Sequence, residues 1–260
     1  MEFKSIMTTD RANDKTNSHA ALQNVRAMMA LVYKLQGRRP HLPNIGVMHG
    51  PSGYGKSQAA IYAQNKTNAI RVEVGDSWTR KTLMKAILTE LGIVPRGTVA
   101  DMVERAVELL GAEIDRPLMI DEADKLVDKG MIELVREIAE CSQAPVILIG
   151  EEALPSKLVK VERVHNRVLD WAPAEPCNRD DTRKLANLYV PHLTFSDGLL
   201  DQVCDRSEGR ARRIVTNLDH ISEWARNHGA KAVDETYDGR FYTGDAPKVR
   251  NPSRMLRRVA

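Results

Sequence analysis

Cysteine is scarce in this chain of 260 residues: its three copies, Cys141, Cys177 and Cys204, stand far apart. With no C-x-x-C pair among them, the sequence predicts neither a disulfide framework nor a zinc site, and the free thiols suit a reducing compartment. No apolar run approaches the length that crosses a membrane, and the polar residues 1–18 lack the apolar segment of a signal peptide. We therefore expect a cytoplasmic protein with no membrane partner.

Excess charge is also small. The 38 Lys and Arg residues outnumber the 35 Asp and Glu residues only slightly, for a net charge of +3. So mild a basicity does not by itself indicate a nucleic-acid-binding protein, because the distribution of the basic residues matters more. No internal repeat is evident, and the 42% hydrophobic and 28% charged composition is ordinary for a globular protein.

The segment at residues 50–57 fits the phosphate-loop pattern G-x-x-x-x-G-K-[ST] in full. It follows a predicted buried strand at residues 45–49 and precedes a predicted helix at residues 58–64, which is the context that the motif requires. Lys56 is expected to reach the β- and γ-phosphates of a nucleotide, and the Ser57 hydroxyl to bind Mg²⁺. The whole loop is the predicted nucleotide-binding segment: Gly50, Pro51, Ser52, Gly53, Tyr54, Gly55, Lys56 and Ser57.

Asp121 and Glu122 follow a second apolar strand, predicted at residues 117–120. In a parallel sheet, the carboxyl end of that strand lies beside the phosphate loop. Asp121 is then expected to hold Mg²⁺, directly or through water, and Glu122 to orient and deprotonate the attacking water. Without the loop upstream, the pair would equally fit a solvated acidic turn.

Strands and helices alternate through the first two thirds of the chain, which predicts an α/β fold with a parallel sheet sandwiched by helices. Pro173 and Pro176 interrupt the pattern, and the predicted helices that follow have no strands between them. The expected organisation is a flexible N-terminus at residues 1–17, a core at 18–172, a small all-helical lid at 173–234 and an irregular basic tail at 235–260.

Three arginines are candidates for contacting the γ-phosphate. Arg163 and Arg167 lie one helical turn apart, and they are either surface arginines or a group supplied to a neighbouring subunit's nucleotide. Arg212 lies in the first turn of a lid helix, where a cation is unfavourable against the helix dipole, and this favours a role at the nucleotide of its own subunit. Glu151 follows the fourth predicted strand as a carboxylate, so a surface role is as open as a phosphate contact.

In order and spacing, these motifs resemble those of the AAA+ ATPases over roughly residues 20–230. Residues 50–57 resemble Walker A and residues 118–122 resemble Walker B. The segment 163–168 resembles the box VII segment of the DnaA-like initiators, and 209–212 resembles sensor 2, with Arg212 in the arginine position. The resemblance implies Mg²⁺-dependent ATP hydrolysis, with Glu122, Lys56, Arg163, Arg167 and Arg212 as the catalytic set.

Softer likenesses point to the transposition ATPases, the group of the phage Mu B protein and its TnsC, TniB and IstB relatives. They lie at residues 76–83, 88–92 and 149–154. This resemblance implies ATP-dependent self-assembly into a filament or ring, non-specific binding of double-stranded DNA, and delivery of that DNA to a transposase. It also implies a phage or mobile-element origin and a bacterial host cytoplasm.

Two basic regions are candidates for DNA contact. Arg80, Lys81 and Lys85 begin the helix after the second strand, a region that lines DNA in the resembling proteins. The tail is either merely solvated or holds DNA or a transposase through its cations, Lys248, Arg250, Arg254, Arg257 and Arg258. Two other functions stay open: a regulatory ATPase without a DNA role, as in ExeA-like proteins, and a helicase loader. The paired arginines and the helical lid disfavour a small-molecule phosphotransferase.

Overall fold

A five-stranded sheet lies at the centre of the computed structural model, which describes residues 22–245. Its strands are β1 (Ile45–His49), β2 (Ile70–Glu73), β3 (Leu118–Asp121), β4 (Val146–Gly150) and β5 (Val168–Pro173). They lie in the order β2-β3-β4-β1-β5, and every neighbouring pair is parallel. The predicted parallel α/β sheet is confirmed.

Helices cover both faces of this sheet. They are α1 (Gln23–Gln36), α2 (Lys56–Thr67), α3 (Arg80–Glu90), α4 (Val99–Ala112), α5 (Asp124–Asp128), α6 (Ile132–Ser142), α7 (Leu154–Val159) and α8 (Glu162–His165). Successive strand residues enter opposite cores, as the pleat requires: Met119 packs with the residues of α1 and α2, whereas Ile120 packs with those of α3, α4 and α6. The sheet is therefore buried on both faces.

The lid follows β5 and contains α9 (Arg179–Tyr189), α10 (Asp197–Arg206) and α11 (Ala211–His228). The prediction of an all-helical lid was wrong in one respect, because β6 (Thr194–Phe195) and β7 (Ala232–Val233) pair in parallel. Strands of two residues are too short for a period of alternation to show in the sequence.

The segment between β3 and β4 contains two helices, α5 and α6, rather than one. The chain leaves α5 at Gly130, whose φ of +62° is left-handed, and enters α6 at Ile132. The amides of Gly130 and Met131 donate to the carbonyls of Val127 and Leu126, at 3.0 and 2.8 Å. This is a Schellman ending, for which glycine is the usual residue.

The segment at residues 235–245 begins the predicted irregular tail, and it packs against the lid. Tyr237 is buried, with its ring edge-on to Trp224 and Phe241. Asn217 donates to the Tyr242 carbonyl at 3.0 Å and accepts from its amide at 2.6 Å. The segment 1–17, which was predicted to be flexible, and the tail cations at 248, 250, 254, 257 and 258 lie outside the described residues. No helix within residues 22–245 is long and apolar enough to cross a bilayer.

Candidate functional site

The loop between β1 and α2 folds around its own lysine. Gly50, Gly53 and Gly55 have φ values of +151°, +88° and +85°, a region that residues with a Cβ rarely occupy. The helix α2 begins at Lys56, whose Nζ donates to the carbonyls of Gly50 and Pro51 at 2.6 and 2.9 Å. The structure thus has the predicted strand–loop–helix arrangement, with an ammonium group at the centre of the loop.

A cavity of about 400 Å³ opens between this loop and the lid. Its polar side contains the loop residues Ser52, Gly53, Gly55, Lys56 and Ser57, together with Glu122. Its apolar side comes from α9, α11 and the start of α1, through Leu22, Val25, Leu185, Leu188, Tyr189 and Val215. Such a site suits a ligand with an anionic end and a flat apolar end. The apolar side was not predicted, because its residues follow the same helical spacing as ordinary core residues.

Two oxygen groups at the loop suit a hard cation. The Ser57 hydroxyl lines the cavity and has no hydrogen-bond partner within residues 22–245. Asp121 is 2% exposed, and its Oδ1 accepts from the Glu122 amide at 3.0 Å. Mg²⁺ is usually held by one or two protein oxygens together with phosphates and water. The Ser57 hydroxyl and the Asp121 carboxylate are two oxygen groups of that kind, and they fit this mode.

Glu122 stands at the edge of the cavity in a left-handed conformation, with φ of +58°. Partial burial raises the pKa of its carboxyl group above the ordinary value, and the charges of Asp121, Glu151 and Asp124 raise it further, against the ammonium of Lys125. A carboxylate with a raised pKa is a better proton acceptor near neutral pH. Glu122 therefore places a proton acceptor at the edge of the cavity.

The end of β4 is fixed by a residue that the sequence did not single out. Asp124 is 6% exposed, and its Oδ2 accepts from the Glu151 amide at 2.6 Å. Gly150 leaves no room for a side chain against this carboxylate. The Glu151 side chain is exposed, so the structure brings its backbone, rather than its carboxylate, into a defined contact.

Two lid arginines reach the phosphate loop in different ways. Arg212 lines the cavity, and its guanidinium has no hydrogen bond or ion pair within residues 22–245. Arg210 was not predicted, although it lies in the same basic run; its Nη1 donates to the Ser52 carbonyl at 2.7 Å. Arg210 therefore joins lid and loop, while Arg212 keeps its donors free.

Arg163 and Arg167 are placed apart from this cavity, which neither of them lines. They do not share a helix as predicted, because α8 ends at His165. Arg167 is ion-paired with Glu140, which also binds Arg136. Arg163 is exposed and has no ion pair or side-chain hydrogen bond among the described residues.

A buried amide joins the loop to the base of the lid. Asn24, which is 3% exposed, donates from Nδ2 to the carbonyls of Tyr54 and Glu175, each at 2.8 Å, and accepts from the Glu175 amide at 2.9 Å. One residue earlier, the Ala174 amide donates to the His49 carbonyl at 2.7 Å. The sequence did not predict this role, since an isolated Asn in a helix carries no pattern.

The predicted DNA-contacting cations lie on the outside of α3. Arg80, Lys81 and Lys85 are exposed, and none of them forms an ion pair with another described residue. Arg80 alone is held, by a 3.3 Å bond from Nη2 to the Gly130 carbonyl.

The segment before α3 is connected to the cavity by a lysine. Lys125 Nζ lies 3.3 Å from Asp76 Oδ1 and 3.8 Å from Glu122 Oε2. Lys129, one turn further along, donates to the carbonyls of Asp76 and Trp78. Lys125 thus lies between Glu122, at the cavity, and Asp76, four residues before the start of α3.

Comparison with known proteins bears on these features. Residues 38–158 match the family model of the AAA domain, AAA_22. No curated protein gives a significant match.

Solved structures with a similar fold include two proteins of Aeropyrum pernix and one of Thermotoga maritima. The Aeropyrum pernix ORC2 protein in its ADP form is 15% identical over 82% of this chain and 65% of its own, with a TM-score of 0.59. The Aeropyrum pernix ORC1 protein in complex with DNA is 18% identical over 81% and 61%, with a TM-score of 0.58. The Thermotoga maritima RuvB Holliday junction branch migration motor is 19% identical over 86% and 67%, with a TM-score of 0.55.

The chain spans less than two thirds of both Aeropyrum proteins, and at these identities the likeness concerns the fold. The phosphate loop, the parallel strand order and the family match all agree. Residues 38–158 are similar to the AAA domain family, and the chain has a P-loop α/β fold like that of the AAA+ ATPases.

Proposed function

We propose that this protein is an ATPase that binds double-stranded DNA in its ATP-bound state, assembles along it and delivers it to a transposase. The observation that carries the proposal is the position of Lys125, between Glu122 at the cavity and Asp76 in the segment that leads into α3 with its exposed cations. The cavity lies on one side of this lysine, and on the other side lie exposed cations that form no ion pair with another described residue.

The nucleotide part of the proposal rests on the cavity. Backbone groups of the loop and Lys56 would hold the phosphates, and the apolar side would cover the base. Ser57 and Asp121 would hold Mg²⁺, which supplies charge neutralisation at the phosphates when bound. Glu122 accepts the proton of the attacking water, and Arg212 has free donors for the terminal phosphate.

The DNA part rests on charge that has no partner within the described chain. Lys81 and Lys85 lie one helical turn apart on one face of α3, so they can contact neighbouring phosphates. Two contacts per subunit are weak, but they add up when many subunits lie along one duplex. The ORC1 protein, which is similar in fold, was solved in complex with DNA.

The assembly part rests on Arg163. An exposed arginine without a partner, away from the cavity of its own subunit, is available to the nucleotide of the next subunit. A head-to-tail interface of this kind repeats to form a ring or an open helix. ATP at each interface would then link assembly to DNA binding.

The transposase part is supported by the resemblance of residues 76–83 to the transposition ATPases. These residues include Asp76 and the start of α3, so the family-like segment coincides with the one that is connected to Glu122. A regulatory ATPase without a DNA role would show no stimulation of hydrolysis by DNA at low salt. A helicase loader would bind a helicase in place of a transposase.

The test is imaging of the purified protein by electron microscopy. With duplex DNA and a slowly hydrolysed ATP analogue, we expect assemblies along the DNA; with ADP, or with Lys56→Ala, we expect bare DNA. Lys56→Ala removes the ammonium group that the loop encloses. Assemblies that form equally well with this variant, or a wild-type protein that stays monomeric with every nucleotide, would contradict the proposal.

Removal of the two free lysines of α3 should weaken DNA binding and reduce its dependence on salt. For Lys81→Ala combined with Lys85→Ala, the slope of log K against log salt should become shallower by about 2, since each lost phosphate contact removes about one released counterion. Fluorescence anisotropy with a labelled duplex over a salt series measures this slope.

The matched control is Arg226→Ala combined with Lys231→Ala, which removes from the lid two exposed cations that form no ion pair with another described residue. It lowers the net charge by the same amount and should leave the slope unchanged. Equal slopes for the α3 variant and the wild-type protein would exclude these lysines from the DNA interface.

A further inference from the structure

Arg71 binds the carboxylate that is expected to hold the metal. Its Nη2 donates to Asp121 Oδ2 at 2.8 Å, and the two side chains are 15% and 3% exposed. The same nitrogen donates to Glu73 Oε2 at 3.0 Å, at the solvent edge of the sheet. A guanidinium group thus occupies one of the two oxygens of Asp121.

The strand register explains how Arg71 reaches this position. The strands β2 and β3 are parallel, with Arg71 opposite Met119 and Glu73 opposite Asp121. Residues that lie opposite each other in a sheet share a face, and here that face is the one covered by α2. Ile70 and Val72 alternate to the other face, into the core with α3 and α4. Arg71 is therefore directed along the sheet towards the phosphate loop.

Negative charge is concentrated around Lys56. The carboxylates of Asp121, Glu151, Glu122 and Asp124 all act on its ammonium group by their charge, against the larger effect of burial, which lowers its pKa. A nucleotide adds several more negative charges to the same place. Asp121 is the most deeply buried of the four, so its charge is the least screened by water.

The hydrogen bond from Arg71 to Asp121 can be replaced by a bond from Asp121 to a metal ion. It uses one nitrogen rather than the two parallel bonds of a guanidinium fork, which are the stronger geometry. Arg71 Nε is buried and has no hydrogen-bond partner among the described residues. A single bond can be given up when a divalent cation takes the carboxylate.

We propose that Arg71 is a positioning residue that neutralises Asp121 when no metal is bound, and that it thereby permits nucleotide binding without Mg²⁺. The inference rests on the nucleotide site of the proposed function. It assigns Arg71 an effect on metal-free binding in particular, because with Mg²⁺ present the carboxylate is neutralised by the metal.

The test compares the dissociation constant of a fluorescent ADP analogue in excess EDTA and in excess Mg²⁺. Arg71→Met keeps the length of the side chain and removes its charge; we expect the constant in EDTA to rise about tenfold and the constant in Mg²⁺ to change less than about threefold. Arg71→Lys, which keeps the charge, should stay close to the wild-type protein in both conditions. In an Asp121→Asn background, Arg71→Met should have no further effect in EDTA.

Arg116→Met is the matched control. Arg116 is 19% exposed and lies just before β3, at the opposite end of the sheet, where its Nε donates to the Asn68 carbonyl. It should leave both constants unchanged. An Arg71→Met protein that binds the analogue in EDTA as the wild type does, or that loses affinity equally in EDTA and in Mg²⁺, would overturn the inference. A wild-type protein that binds no nucleotide even with Mg²⁺ would instead refute the proposed function.

Discussion

Replacement of Glu122 by glutamine is expected to slow ATP hydrolysis about 10²- to 10⁴-fold, the usual contribution of a positioned general base. Glutamine has nearly the same shape but cannot accept the proton of the attacking water. It also removes one negative charge from a place where the charges of Asp121, Glu151 and Asp124 already act, so ATP affinity should be kept or rise. Single-turnover hydrolysis and equilibrium binding of a fluorescent ATP analogue separate the two effects.

Glu151→Gln is the control for this variant, because Glu151 also acts on Lys56 by its charge but is exposed at the end of β4. It should hydrolyse ATP at close to the wild-type rate. With Glu122→Gln, the ATP-bound state is held, and the protein should stay on DNA longer than the wild type. Near-normal turnover by Glu122→Gln would mean that another residue is the base.

Replacement of Arg163 by alanine is expected to lower hydrolysis by the assembled protein about 10³-fold or more, the effect of losing an arginine supplied to the γ-phosphate from a neighbouring subunit. Arg163 has no partner within residues 22–245, so its removal should leave the fold of the subunit intact. Arg167→Ala removes an ion pair with Glu140 at the surface, which is worth about 1 kcal/mol or less. It should leave hydrolysis nearly unchanged. Steady-state rates at a protein concentration that saturates assembly compare the two variants.

Mixed assemblies show whether Arg163 acts between subunits. Each variant alone is expected to be inactive. In a mixture, an Arg163→Ala subunit still has an intact Glu122 at its own site, and a neighbouring Glu122→Gln subunit can supply the missing arginine to that site. A random equal mixture should recover about a quarter of the wild-type rate, since half of the sites are competent and half of the neighbours are. If the mixture is as inactive as its components, Arg163 either acts within its own subunit or takes no part in hydrolysis.

Much of the fold could be predicted because its signals are local. The apolar strands that flank the phosphate loop, and Asp121 after the third strand, follow rules that involve only a few neighbouring residues. The break between α5 and α6 was not predicted, although Gly130 is a local signal for it. The short pair β6 and β7 has no such local signal, because its register is set by contacts between distant parts of the chain.

The parts of the site that could not be predicted are those made by distant residues. Arg71 reaches Asp121 only because β2 and β3 pair in one particular register. Asn24 reaches Tyr54 and Glu175 only after α1 has packed beside the sheet. Likewise, the sequence treats Arg163 and Arg167 alike, and it takes the position of Glu140 to distinguish the paired arginine from the free one.

The hydrogen bonds at the base of the lid leave only a very short segment of chain that could act as a hinge. Glu175 is tied to the sheet side by Asn24, while Cys177 already belongs to the lid, because its amide donates to the Gly209 carbonyl at 2.9 Å. Between them stands Pro176, whose ring fixes one of its two backbone torsions. A pivot this short allows rotation but little sliding. If the cavity opens, Arg210 and Arg212 would therefore move away from the loop together, because both belong to the same rigid part of the lid.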